Sequence, residues 1–258
     1  MNILLTNDDG INSKGLINLK KELSKKHKVI TVAPKEQRSG YSHHVSIFDK
    51  VRITQIDDDT YICDGTPADC VKFTIEGFLT EKIDFIASGI NEGPNLGTDV
   101  FYSGTVAAAR EGLINGIPSC AFSINSYFPD KKFEAASFFS SYIVDLLYAK
   151  FFKNNEMYNV NLPNSDYVEG LKFTKTGKRI YREKAVKKIE DDGSEYFYIE
   201  GEIPTYESIP GTDFWAVENN FISITPMNLD ATFLYQYDRL SDEYDNFQIP
   251  LTFDLINT

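Results

Sequence analysis

An α/β fold, a mostly parallel sheet flanked by helices with C-terminal β-hairpin extensions, is what the sequence predicts, on three observations. The chain opens strand, helix, strand over residues 2–33, the make-up of a βαβ unit with a parallel pair. Apolar runs at 83–88 and 119–124 are each followed by a helical stretch, which continues that pattern. After residue 163 the helical period gives way to short β segments joined by turns. At 258 residues the chain reads as a single α/β domain. Residues 1–165 form its core, and 166–258 a hairpin-rich part that packs on the core or on a second subunit.

The first strand, Ile3-Leu4-Leu5, runs into the turn Asn7-Asp8-Asp9-Gly10. Ser13 can cap the next helix, with Leu16, Leu19 and Leu23 on one face. Glu22 and Lys26 are spaced to pair on its outside. Residues 28–33 form the second strand, which Pro34 stops, and 35–44 are a polar connection. Residues 45–56 and 60–63 read as a β excursion around Asp57-Asp58-Asp59. That acidic turn lacks the interleaved spacing and glycine of a calcium loop. Thr66 caps a helix starting at Pro67, and Asp69 completes a capping box. The strand at 83–88 ends in the turn 89–99, which holds three glycines, a proline and two asparagines. That density calls for tight backbone and close approach to the main chain. A small-residue helix starts at Ser103 or Thr105. A strand at 119–124, a long aromatic-rich helix at 133–152 and a strand at 158–163 close the α/β part. Segments 171–176, 185–189, 196–201, 212–217 and 221–225 read as β, and the tail at 235–258 is polar and acidic.

A composition of 42% hydrophobic and 14% aromatic residues is that of a globular chain. The net charge of -12 argues against binding a nucleic-acid duplex, which needs a basic face. No window reaches a membrane-spanning apolar length, and no signal peptide is read, so no membrane partner is expected. Cys63, Cys70 and Cys120 are odd in number and lack metal-type spacing; they read as reduced thiols of a cytoplasmic protein. There is no G-x-G-x-x-G after the first strand, no H-E-x-x-H and no G-x-S-x-G.

In an open parallel sheet, ligands bind beyond the carboxyl ends of strands. Asp8 and Asp9, the loop 35–44 and the turn 89–99 all follow strand ends, so they share one rim. Adjacent carboxylates repel, and both stay ionised only if a cation shares the site. Alone, Asp-Asp-Gly is as readily an ordinary turn. With Ser39, Asn91 and Asn95 the rim offers oxygen donors that suit Mg²⁺ or Mn²⁺. Ser103, Gly104 and Thr105 put free amides and hydroxyls at a helix start, geometry that serves an anion or an N-cap alike. A metal beside an anion pocket points to phosphoryl transfer to water. The rival is an aspartyl-phosphate route of the haloacid-dehalogenase type, which uses D-x-D. Here the carboxylates are adjacent, which favours direct attack by water.

Four motifs then occur in order: Asn7-Asp8-Asp9-Gly10, Arg38-Ser39-Gly40, Ser88-Gly89-Ile90-Asn91-Glu92-Gly93-Pro94-Asn95-Leu96-Gly97 and Tyr102-Ser103-Gly104-Thr105-Val106-Ala107-Ala108-Ala109. Together they resemble the SurE family, the stationary-phase survival protein E nucleotidases. Thr212-Asp213-Phe214-Trp215-Ala216-Val217 and Ile222-Ser223-Ile224-Thr225-Pro226 are similar to its later segments. The resemblance implies a Rossmann-like core and a cytoplasmic 5′-nucleotidase needing one divalent cation per subunit, Mg²⁺ or Mn²⁺. Its substrates would be nucleoside monophosphates, 5′ and also 3′. It implies a homodimer or homotetramer formed through exchanged C-terminal elements. Carried onto this chain, the metal ligands are Asp8, Asp9, Ser39 and Asn91, with Asp8 and Asp9 as the catalytic pair. The phosphate-binding group is Asn95, Ser103, Gly104 and Thr105.

Residues 41–44 depart from the family pattern. His43 or His44 could protonate the leaving oxygen, although the plainer expectation is a surface position. Tyr41 or Tyr102 could contact a base. Two other functions compete: a broader acid phosphatase that also cuts polyphosphate, and a metal-dependent nucleotide sensor with negligible turnover. An open metal position favours catalysis over sensing.

Overall fold

The structure, a computed structural model, describes residues 1–150, 156–202 and 204–232. The acidic tail expected at 235–258 lies outside the described residues. The chain begins β1 (Asn2–Thr6), α1 (Lys14–Leu23), β2 (Lys28–Pro34). A side excursion follows, β3 (Ile53–Asp57) and β4 (Thr60–Cys63), then α2 (Pro67–Phe73). The α/β pattern resumes with β5 (Phe85–Asn91), α3 (Gly104–Ile114), β6 (Ser119–Asn125), α4 (Phe133–Lys150) and β7 (Met157–Pro163).

Nine strands form one sheet in the order β3-β4-β2-β1-β5-β6-β7-β13-β8, where β8 is Gly170–Phe173 and β13 is Phe221–Met227. The six strands from β4 to β7 are mutually parallel. The chain winds outward from β1 to β2 and β4, then crosses back to β5 on the other side of β1. The β1/β5 boundary is therefore the switch point, where such sheets open a crevice.

β1 reads as an unbroken apolar run because both its faces are covered. Ile3 and Leu5 pack in the layer with Leu16, Leu19 and Leu23 of α1 and Ile143 and Val144 of α4. Leu4 packs on the opposite layer with Cys70 and Val71 of α2 and Ala108 of α3. Ser13 caps α1 by accepting from Leu16 N at 3.4 Å. The pair expected between Glu22 and Lys26 is replaced. Glu22 takes Lys25 at 2.5 Å, while Lys26 reaches Asp145 of α4 at 2.6 Å, drawn there by the packing of α1 on α4. The α2 capping box is formed both ways, Asp69 N to Thr66 Oγ1 at 3.1 Å and Thr66 N to Asp69 Oδ2 at 2.9 Å.

Between residues 45 and 56 the expected β run is strand only from Ile53. After β8 come β9 (Arg179–Ile180) and the two-stranded hairpin β10 (Glu183–Ile189) and β11 (Glu195–Gly201). Gly193 closes that hairpin with φ +84°. β12 (Thr205–Tyr206) pairs with β9. The segment 212–217, expected as β, is instead the helix α5 (Asp213–Glu218), capped by Thr212 and burying Phe214, Ala216 and Val217. β13 then enters the main sheet antiparallel to β7 and parallel to β8.

Candidate active site

Asp8 leaves the end of β1 almost wholly buried. Thr105 Oγ1 donates to its Oδ1, and the amides of Gly104 and Thr105 bear on the same carboxylate. A Cβ on Gly104 would stand 2.9 Å from Asp8 Cβ and 3.1 Å from its Oδ2, so only glycine lets the helix start so close. Asp8 O also accepts from Arg38 N at 2.7 Å, which fastens the second loop to the first. Asp9 Oδ2 accepts from Glu92 N at 3.0 Å, tying the first loop to the third.

Burial pushes the Asp8 carboxyl up, against the hydrogen bonds from Thr105 and the helix amides. Burial, and then the charge on Asp8, push Asp9 up to about 7. Both carboxylates thus resist ionisation, and a cation beside them would reverse that. Among the described residues no three or more His, Cys, Asp or Glu side chains gather as a metal site. The donors available are two carboxylates, an amide and a hydroxyl, an all-oxygen set that fits Mg²⁺ or Mn²⁺ better than Zn²⁺.

The glycine-rich turn is fixed from below. Asn95 N donates to Asn161 Oδ1 at 2.9 Å, and Asn95 Nδ2 to Ser123 Oγ at 2.8 Å. Its carbonyl accepts from Asn159 Nδ2 at 2.8 Å and Asn161 Nδ2 at 3.0 Å. Asn91 Nδ2 donates to Gly93 O at 2.8 Å. Gly97 has φ +56°, and a Cβ there would meet Gly177 O at 2.7 Å. The buried Asp213 holds both glycines, accepting from Gly97 N at 2.7 Å and Gly177 N at 2.8 Å. Ser103 caps α3 by accepting from Val106 N at 3.1 Å. The exposed Ser39 accepts from Gln37 Nε2 at 3.1 Å.

Asp8, Ser39, Asn91, Asn95 and Ser103 line one cleft of about 720 Å³. Tyr127, Arg179 and Tyr181 line the same cleft. Arg179 Nε donates to Asp99 Oδ2 at 2.9 Å, and its Nη2 to Tyr127 OH at 3.0 Å. The guanidinium lies 5.0 Å from the Phe214 ring centroid, and Tyr181 OH donates to Asp99. Asp9 opens instead onto an adjoining cavity of about 320 Å³, with Lys35, Gln37 and Glu92.

The sequence-predicted residues therefore divide. Five line the cleft, Gly104 and Thr105 face Asp8, and Asp9 lies next door. His43 turns to α3, with Nε2 2.8 Å from Glu111 Oε2, and His44 is exposed. Tyr102 lines the cleft, and Tyr41 OH accepts from Arg38 Nη1 at 3.2 Å. Sequence reasoning missed Asn159, Asn161, Asp213 and the Asp99–Arg179 pair. The two asparagines carried a signal, since amides two apart in an apolar strand share one face and need buried partners.

The chain matches the family model described as Survival protein SurE over residues 3–183. It is 40% identical over 248 residues to the 5′-nucleotidase SurE of Herpetosiphon aurantiacus, covering 93% of this chain and 97% of that one. Against the 5′-nucleotidase SurE of Aquifex aeolicus it is 41% identical over 233 residues, covering 89% and 92%. The crystal structure of the SurE protein from Aquifex aeolicus matches with a TM-score of 0.83 at 38% identity, covering 94% of this chain and 99% of that one.

Proposed function

The chain belongs to the SurE family and is an enzyme of the 5′-nucleotidase type, and from that premise we propose that it hydrolyses nucleoside 5′-monophosphates, and 3′-monophosphates too, by metal-assisted attack of water. Asp8, Asp9, Ser39 and Asn91 would hold one Mg²⁺ or Mn²⁺. When bound, such an ion neutralises phosphoryl oxygens and makes a water more acidic. Asn95 and the Ser103 hydroxyl orient the phosphoryl group at the start of α3, where the helix dipole favours negative charge. Thr105 and Gly104 hold Asp8 in place, and the phosphate contact passes mainly to Ser103 and Asn95. Asp9, up to about 7 without a cation, gives up its proton when the site fills. The leaving nucleoside extends toward Tyr127 and Tyr181.

The observation that carries this reading is Asp8 seated on the first turn of α3 in the lining of a cleft far larger than a phosphate. The test is phosphate release from 5′-AMP and 3′-AMP after chelation, then with Mg²⁺ or Mn²⁺ restored. Release that stops with chelator and returns with either ion is the expected result. A folded protein that hydrolyses no monophosphate with either ion overturns it.

We read the protein further as cytoplasmic and as a homodimer or homotetramer. Residues 1–165 carry the phosphoryl chemistry, and the part after 165 adds Arg179 and Tyr181 to the cleft wall and otherwise serves packing and assembly. Among the described residues no helix is long and apolar enough to cross a membrane. The hairpin β10–β11 leaves Phe197 and Ile199 exposed, apolar surface that a second copy would cover. Light scattering on the eluting protein decides between monomer, dimer and tetramer.

A further inference from the structure

The connection from β2 to β3, residues 35–52, has no helix or strand of its own. A loop that long is ordered only by what its side chains and backbone reach. Arg38 N donates to Asp8 O at 2.7 Å, and Ser42 N to Tyr102 O at 3.1 Å. Thr66 Oγ1 donates to His44 O at 2.6 Å, while Ser46 donates to Asp69 through N and Oγ, both at 2.8 Å. Those anchors have other tasks: Thr66 and Asp69 cap α2, and Asp8 and Tyr102 flank the cleft. Arg38 Nη2 also donates to Asp64 O at 3.0 Å and Arg52 N to Asp64 Oδ1 at 2.6 Å, and one further anchor reaches α3. His43 Nε2 lies 2.8 Å from Glu111 Oε2, in the middle of α3. The Glu111 side chain is only 4% exposed. Asn115 Nδ2 steadies it at 3.3 Å, and Lys72 Nζ lies 3.6 Å away. A buried carboxylate needs such partners, and the imidazole is the one that comes from the loop.

We propose that His43 is a positioning residue, whose contact with Glu111 latches residues 39–42 onto α3 and so sets Ser39 and Gly40 against the cleft. The consequence for Ser39 rests on its reading as a metal ligand given above. α3 is also the helix whose first turn holds Asp8, so the latch references two donors to one rigid element. A donor on a free loop must be ordered at each binding event, whereas a latched one has already lost that freedom. With Nε2 committed to Glu111, His43 supports the loop and does not serve a leaving oxygen.

The test compares wild type, His43→Ala and His43→Gln by tryptic cleavage at Lys35, Arg38, Lys50 and Arg52, and by calorimetric titration with Mn²⁺. His43→Ala is expected to be cut in this loop about tenfold faster and to bind Mn²⁺ about tenfold more weakly, the scale on which outer-shell partners act. Its thermal midpoint stays near wild type, and His43→Gln, which can still donate to Glu111, recovers most of both losses. Should His43→Ala fail to fold, the isosteric Glu111→Gln weakens the same contact from α3 and is read the same way. Unchanged cleavage, or unchanged Mn²⁺ affinity, overturns the proposal. So does a fall in kcat with both readouts unchanged, which would assign His43 to proton transfer. A wild-type chain that takes up no Mn²⁺ sinks the ligand reading of Ser39, and the cleavage rates alone then decide the latch.

Discussion

The hydroxyl of Thr105 donates to the carboxylate of Asp8, joining the first turn of α3 to the end of β1 across 97 positions of sequence. The bond is buried, and it opposes the burial that pushes the Asp8 carboxyl up. Thr105→Val removes this donor and leaves the carboxylate to the backbone amides of Gly104 and Thr105. Stability is expected to fall by about 1 kcal/mol, and Mn²⁺ affinity by about tenfold. Thermal unfolding and calorimetric titration check the two separately. Unaltered metal affinity would mean that Asp8 is not a ligand.

Gly104→Ala tests the same corner by volume. The new Cβ would meet Asp8 Cβ at 2.9 Å and Pro67 Cγ at 3.1 Å, so the carboxylate must shift. Alanine also leaves the unfolded chain fewer conformations than glycine does, which offsets part of the clash. Turnover of 5′-AMP should therefore drop by about a hundredfold, the cost of an ångström-scale misplacement, while the melting temperature barely moves. Full activity in Gly104→Ala would show that the position of Asp8 is not critical.

Asp9 supplies a pH dependence. Its carboxyl is raised from 3.8 to about 7 in the metal-free fold, mainly by burial and next by Asp8. The folded state then binds more protons than the unfolded one between those values, so metal-free stability declines as pH rises through that window. Saturating Mg²⁺ should flatten the slope by holding the carboxylate ionised. Asp9→Asn should remove the Asp9 share of the slope and abolish metal-dependent hydrolysis with the fold intact. Melting temperatures in chelator and in Mg²⁺ across pH 4 to 8, alongside phosphate release, measure both. Normal turnover by Asp9→Asn would end its assignment as a catalytic ligand.

Much of this architecture was legible because each legible part depends on nearby residues. β1 is apolar on both faces, α1 and α2 carry their own caps, and the loops that follow strands fall on one rim by topology alone. α5 was not legible. Its six residues are too few to show a helical period, and its context is Thr212 capping it while Asp213 takes amides from Gly97 and Gly177. The Asp99–Arg179 part of the cleft lining was hidden for a related reason. Asp99 and Arg179 meet across 80 positions, and nothing local to either marks the partner.

That lining carries the last prediction. A phosphate fills a small part of a cleft of about 720 Å³, and the rest must take the group that leaves with the oxygen. Its walls are aromatic: Tyr127 and Tyr181 expose their rings, while Arg179 and Asp99 occupy their hydroxyls. Groups so engaged hold the rings in place and leave their faces for stacking. Stacking of a base on an aromatic ring contributes about 1–3 kcal/mol. Tyr127→Ala should therefore raise KM for 5′-AMP about tenfold, a loss of about 1.4 kcal/mol, with kcat little changed. Tyr127→Phe keeps the ring and loses only the contact from Arg179, so it should raise KM less than Tyr127→Ala does. Hydrolysis of a small aliphatic phosphate ester, which has no base to stack, should be indifferent to both changes. Equal losses on the nucleotide and the small ester would place Tyr127 in support of the whole cleft and not in contact with the base.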